Sequence, residues 1–188
     1  MSTFQKVPTD LLSKIQLGAG VVVADFDTTA STYEETDLIG ATSGGVKIEI
    51  KPTYSDFGDD IDNVPNNTME LKRLDSWEAK MSGTFVSMDA PLAKKILAAA
   101  DTTANKVTLR SKLKTADFAD VWFVGDYSDG DTSSGYVAVK LSNSLSTGGF
   151  SLTTSDDKKG TFAFEFTAHY SLSSIDTVPA EIYIKAGA

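Results

Sequence analysis

The chain contains no cysteine, one histidine (His169) and two arginines among its 188 residues. The absence of cysteine excludes disulfide scaffolds, thiolate metal sites and thiol nucleophiles. One histidine excludes a multi-histidine metal site, and no G-x-S-x-G nucleophile motif accompanies it. Two arginines, Arg73 and Arg110, are too few for a cluster that reads phosphates or bases. The sequence therefore predicts a protein that is not an enzyme and that needs no metal or cofactor.

Positive charge and long apolar runs are scarce as well. The chain has 17 Lys and Arg residues and 26 Asp and Glu residues, so its formal charge is −9. This negative charge disfavours adhesive binding to nucleic acid. The most apolar run, residues 17–24, is far shorter than the ~20 residues that cross a bilayer as a helix. Residues 1–12 hold no secretory signal pattern. We therefore expect no membrane partner and synthesis in a reducing compartment.

The sequence is rich in β-strand patterns. Apolar and polar residues alternate along 46–51, 76–85 and 162–167, as they do in half-buried strands. Turn residues separate such segments at intervals of about 8–12 residues, which is typical of an antiparallel sandwich or barrel. The length suits one domain over 1–188. The predicted fold is mostly β, an antiparallel β-sandwich or barrel.

One helix and one long loop interrupt the strand pattern. Asp89 is a favourable N-cap, Pro91 suits the first turn and an apolar stripe follows, so we predict a helix over 89–100. Residues 52–68 hold four aspartates, two prolines and no periodicity, which predicts a long loop between early strands. Its apolar side chains favour docking onto another surface. The candidate docking residues are Tyr54, Asp56, Phe57, Asp59, Asp60, Ile61, Asp62 and Val64.

The two tryptophans leave a second hypothesis open. Trp77 and Trp122 have the size and planarity to stack on sugars, which would make the protein a monomeric carbohydrate-binding sandwich. Each lies in an alternating strand, however, where packing in the core is the default. The absence of a secretory signal also disfavours this interpretation.

Two stretches, 71–100 and 136–186, resemble the major tail proteins of long-tailed bacteriophages. The second stretch holds a Gly-rich turn, a hairpin over charged residues (156–160), the F-x-F strand at 162–166 and a closing P-x-E-I-x-I strand at 179–184. The order of segments along the chain is also similar. The resemblance covers nearly the whole chain as many weak matches.

The resemblance implies a tail tube subunit of the virion, made in the host cytoplasm, with a β-sandwich fold and a flanking helix. Such subunits form hexameric rings whose inner sheets join into one barrel. The rings stack around a tape-measure protein, end at tail terminator and distal tail proteins, and conduct DNA through the lumen without binding it specifically. The loop 52–68 matches in position the loop that reaches the adjoining ring.

Alternation assigns candidate lumen residues if three of the strands form the inner sheet. The polar face opposite the apolar one carries Glu49, Glu78 and Glu165. A tail terminator or baseplate ring, which forms a ring without polymerising, is a further alternative.

Overall fold

The computed structural model describes residues 15–127 and 135–185, so the signal prediction for residues 1–12 lies outside the described residues. Eleven strands and one α-helix are assigned within them. In chain order they are β1 (Gln16–Val23), β2 (Leu38–Gly40), β3 (Thr42–Asp56), β4 (Lys72–Phe85), α1 (Ala90–Leu97), β5 (Ala100–Thr103), β6 (Lys106–Leu109), β7 (Ala119–Tyr127), β8 (Tyr136–Ser146), β9 (Ser151–Thr153), β10 (Thr161–Thr167) and β11 (Ala180–Lys185).

Nine of these strands form two antiparallel layers, and β5 and β6 form a separate two-stranded hairpin. One layer runs β3-β4-β10-β9 and the other runs β2-β1-β7-β8-β11. Strand β8 joins them, because its last residues, Leu145 and Ser146, pair with Thr167 and Phe166 of β10. The prediction of a mostly β, antiparallel fold with one flanking helix is confirmed.

The main core lies between the two layers. Met81, Phe85 and Phe166 contribute from the first layer and Val22 and Leu141 from the second, and all are almost fully buried. Helix α1 closes one side of this core through Leu92 and Ile96. A smaller cluster lies around Phe26, Trp122 and Tyr136.

The structure corrects the boundaries of the predicted loop 52–68. Strand β3 continues through Asp56, and residues 52–56 pair with 72–77 of β4. The alternation of apolar and polar residues ends at Pro52, but the backbone pairing between β3 and β4 continues beyond it. The connection is residues 57–71, which end in a 3₁₀ turn at Met69–Leu71. The outer part of this hairpin, residues 52–77, is called the arm below, and residues 56–71 are its tip.

The predicted helix 89–100 is shorter in the structure. Asp89 caps it as predicted, since its Oδ1 accepts a hydrogen bond from the Leu92 amide at 2.8 Å. The helix ends at Leu97 because Ala98 adopts φ 57°. Ala100 already pairs with Leu109 in the hairpin β5–β6, so the last part of the predicted helix is extended chain.

No helix within 15–127 and 135–185 has both the length and the apolar character needed to cross a bilayer. Within the same residues, no three His, Cys, Asp or Glu side chains are grouped so as to hold a metal ion.

Candidate assembly surfaces

The three predicted lumen residues lie on one face of the β3-β4-β10 sheet. Glu49 is opposite Lys80, and Lys80 is opposite Thr167 of β10. Ser82 is likewise opposite both Lys47 and Glu165. Residues directly opposite each other in a ladder share a face, and this face is turned away from the core. We call it the polar face.

Charges on the polar face are balanced. Lys47, Lys51 and Lys80 accompany the three glutamates, so this face is mixed and carries no excess of negative charge. The Glu49 carboxylate lies 2.8 Å from the Lys47 ammonium and 2.7 Å from that of Lys51. Hydrogen bonds from these two ammonium groups lower the pKa of Glu49 to about 2, so Glu49 is ionised at neutral pH.

Glu78 and Glu165 differ in how their carboxylates are held. Glu78 forms an ion pair with Lys80 at 2.5 Å and is exposed. Glu165 is half-buried and accepts a hydrogen bond from the Thr147 hydroxyl at 2.8 Å. Glu78 is therefore the more accessible of the two.

Both edges of this layer are open along the described chain. β3 pairs only with β4, and β9 pairs only with β10. The outer edge of β3 extends over 15 residues. An unpaired edge presents rows of N–H and C=O groups that are a template for pairing with another chain. The two open edges lie at opposite ends of the same sheet, which suits head-to-tail pairing between copies.

The arm continues the apolar face of the sheet without a second layer to cover it. Ile48 and Ile50 of β3 pack against the core, and Tyr54 follows on the same side of the strand. A bulge at Asp75 places Leu74 opposite Tyr54. Both side chains are about half exposed, at 53% and 45%, so the arm offers an apolar surface.

The arm tip is held by its own hydrogen bonds. Asp56 accepts hydrogen bonds at 2.9 Å from the Gly58 amide and the Asn67 amide, and these bonds lower its pKa. The Phe57 amide donates to the Leu71 carbonyl at 3.0 Å. Asp56 therefore shapes the tip from within.

The other predicted docking residues divide between the inside and the outside of the tip. Val64 is half-buried, and its side chain lies near Gly58. Those that face solvent are Phe57, Ile61, Asp59, Asp60 and Asp62. Sequence reasoning missed Met69 and Leu74, which are also exposed. The register of the hairpin places Leu74 opposite Tyr54, whereas Met69 lies in the connection, one residue beyond the predicted loop.

Neither tryptophan is more than partly exposed. Trp122 is 6% exposed and lies between Phe26 and Tyr183, with ring centroids 5.9 and 5.5 Å away. Trp77 is half-buried. His169 packs edge-on against Phe118 and lies near the Asn143 carbonyl oxygen, at 3.3 Å from its Nδ1, which is a structural environment.

No protein-family model matches the chain, and no curated protein matches it. Several solved structures are similar. One is titled "Virion of native gene transfer agent (GTA) particle", with 12% identity and a TM-score of 0.47 over 92% of this chain and 100% of that chain. Another is "Tail of empty GTA particle computed with helical refinement, C6 symmetry", with 13% identity and a TM-score of 0.46 over the same shares.

A third is "Cryo-EM structure of the anti-feeding prophage cap (AFP tube terminating cap)", with 11% identity and a TM-score of 0.45 over 98% of this chain and 95% of that chain. The titles name a virion, a tail and a tube cap. At these identities and TM-scores the likeness assigns no function to this chain.

Proposed function

We propose that this chain is a structural protein of a phage-type tail, and specifically a tail tube subunit that forms hexameric rings and stacks them. The observation that carries the proposal is the pair of open edges at opposite ends of the β3-β4-β10-β9 sheet. The number of subunits in a ring comes from the resemblance of the sequence to major tail proteins.

Ring formation would remove both open edges. If the β3 edge of one copy pairs with the β9 edge of the next, the sheets join into one continuous sheet. Such a contact is heterologous. It closes into a ring when a whole number of copies, each rotated by the same angle from the last, completes a full turn. Closure leaves no unpaired edge in this joined sheet, as in a closed barrel.

Stacking of the rings would cover the arm. Tyr54 and Leu74 extend the apolar face beyond the second layer, and Met69 at the tip is 79% exposed. Contiguous exposed apolar side chains of this kind mark interaction surfaces. The adjoining ring is the partner that we propose for the arm.

The polar face would line the channel. It is the face of the joined sheet that does not pack against the core. Because its positive and negative charges balance, it would bind DNA phosphates only weakly. Glu49, Glu78 and Glu165 would each recur around the ring. A tape-measure protein inside the tube, tail terminator and distal tail proteins at its ends, and a location in the virion belong to the same proposal.

Electron microscopy of the concentrated purified protein tests this function. We expect hollow tubes of stacked rings. Single rings that never stack would instead favour a terminator or baseplate role, and a protein that stays monomeric at all concentrations would contradict the assembly role altogether.

A matched pair of variants tests the arm. Phe57→Ser with Ile61→Ser removes two exposed apolar side chains from the arm tip, and we expect rings without tubes. Leu172→Ser with Ile175→Ser removes two exposed apolar side chains elsewhere and should leave tubes intact. Equal loss of tubes in both variants would contradict a specific role for the arm.

A further inference from the structure

Basic charge is concentrated in the region of α1 and the hairpin β5–β6. Residues 90–114 hold six Lys or Arg residues and one Asp, in a chain whose formal charge is −9. Residues 106–114, called the basic segment below, contain four of these cations and no acidic residue. Helix α1 packs against both β5 and β6, so the cations are brought into one region of the surface.

Arg110 holds the basic segment in shape. Its guanidinium forms an ion pair with Asp117, whose side chain is 3% exposed. Its Nε lies 3.1 Å from an Asp101 oxygen, and its Nη1 donates to the Lys112 carbonyl at 2.8 Å. The Arg110 guanidinium is thereby occupied by contacts within the chain. The surface around it is pre-organised, which reduces the ordering cost of binding.

Four other side chains of the basic segment are available to a partner, whereas Lys114 forms an ion pair with Asp101 at 3.3 Å. Lys106 and Lys112 are exposed, and within the described chain no ion pair is found for either ammonium group. Leu109 and Leu113 are 66% and 51% exposed. Leu109 to Lys114 line one shallow concave surface. Lys112 lies on this surface together with both leucines, and Lys106 lies at the start of β6, three residues before Leu109.

The arm tip has the complementary composition. Residues 56–71 hold four aspartates, one glutamate and no Lys or Arg. Asp59, Asp60 and Asp62 are exposed and, among the described residues, have no cationic partner, and Phe57 and Ile61 are about half exposed beside them. Leu109 and Leu113 of the basic segment, like Phe57 and Ile61 of the tip, are about half exposed or more within one copy. They therefore do not cover each other within one copy.

We propose that the arm tip of one copy docks on the basic segment of a second copy in the adjoining ring. The aspartates would face Lys106 and Lys112, and Phe57 and Ile61 would cover Leu109 and Leu113. Charge complementarity sets the register and suppresses wrong partners, while the apolar contacts supply burial. This inference rests on the proposed function and names the surface that receives the arm.

A charge swap tests the pairing. Lys106→Glu with Lys112→Glu should reduce the mass of tubes about tenfold or more at a given protein concentration and leave rings intact, since like charges would oppose each other. Asp59→Lys with Asp60→Lys should have the same effect. Combining all four substitutions should restore tubes.

The control is Lys158→Glu with Lys159→Glu, an equal charge change at two exposed lysines in another turn, and it should retain tubes. Circular dichroism and thermal unfolding check that every variant is folded. Failure of the four-fold variant to restore tubes, or equal loss in the control, would overturn the pairing.

Two further outcomes separate this inference from the proposed function. Normal tubes from the Lys106 and Lys112 variant would overturn the docking surface and leave the tube role standing, whereas absence of tubes from the unmodified protein would overturn both. Sedimentation with short duplex DNA or anionic vesicles that depends on these two lysines, together with unaffected tubes, would show that the occupant is not a second copy.

Discussion

Gly18 and Gly20 of β1 have backbone conformations that favour glycine. Both lie at positive φ, +78° and +67°, within an irregularity of the pairing between β1 and β7. Their surroundings differ. A Cβ at Gly20 would lie 2.4 Å from the Phe123 ring, whereas a Cβ at Gly18 would meet nothing within 4 Å. Both glycines of the first strand therefore allow a left-handed backbone conformation. Gly20 in addition allows the Phe123 ring to lie close to the backbone.

Alanine at these two glycines separates the two effects. Gly18→Ala should cost about 1–2 kcal/mol, the price of a left-handed L-residue. Gly20→Ala should cost about 2–5 kcal/mol, because it also overpacks the core against Phe123. Urea unfolding of both variants measures the difference. Equal losses would show that the Phe123 ring moves aside freely.

Helix α1 is the element whose stability is easiest to dissect. Asp89→Ala removes the cap on the Leu92 amide and should cost about 1 kcal/mol. Leu92→Ala or Ile96→Ala should cost about 2–5 kcal/mol, because both side chains are almost fully buried in the main core. Lys94→Ala on the exposed side of the helix is the control and should stay within about 0.5 kcal/mol. Unchanged thermal unfolding of the Leu92 and Ile96 variants would contradict the packing of the helix.

In the hairpin of β3 and β4, the sequence pattern predicts only the first part of the strand. Alternation of Val46, Ile48 and Ile50 predicts a strand, and the structure has one there. From Pro52 onward the composition favours a loop, but the ladder continues to Asp56 paired with Lys72. The partner strand supplies hydrogen bonds regardless of side-chain pattern, so the paired part of the hairpin extends further than its composition indicates.

At the scale of the molecule, the proposed channel depends on the balance of charge on the polar face. Glu78 lies opposite Lys51 and beside Lys80. Glu78→Lys would place three ammonium groups together, and a ring would repeat this cluster. Assembly should persist because Ala79 and Met81, on the opposite face, are unchanged.

We expect tubes of the Glu78→Lys variant, assembled with short duplex DNA, to retain DNA in a salt-dependent way. Ammonium groups that contact phosphates release counterions, so retention should be greatest at low salt. Co-sedimentation measures it, with Glu78→Gln as the control that removes one charge without reversing it. Equal DNA retention by unmodified and reversed tubes would show that this face does not meet the DNA.

Much of the fold could be predicted from the sequence because local patterns specify it. The cap at Asp89 and the F-x-F strand at 162–166 depend on a few neighbouring residues, and both are found. The end of the helix could not be predicted, because backbone pairing of Ala100 with Leu109 competes with the helix there. Among the candidate docking residues, the sequence did not show that Val64 is half-buried or that Asp56 holds the tip through hydrogen bonds.

The sequence by itself determined which residues face away from the core in each strand, because side chains alternate with a period of two. It thereby placed Glu49, Glu78 and Glu165 opposite the apolar rows. Only the tertiary structure decided that these rows belong to adjacent strands, that β3 and β9 lie at opposite open edges, and that Tyr54 and Leu74 share one uncovered face. Those relations depend on pairing between segments far apart in the chain, which no local pattern encodes.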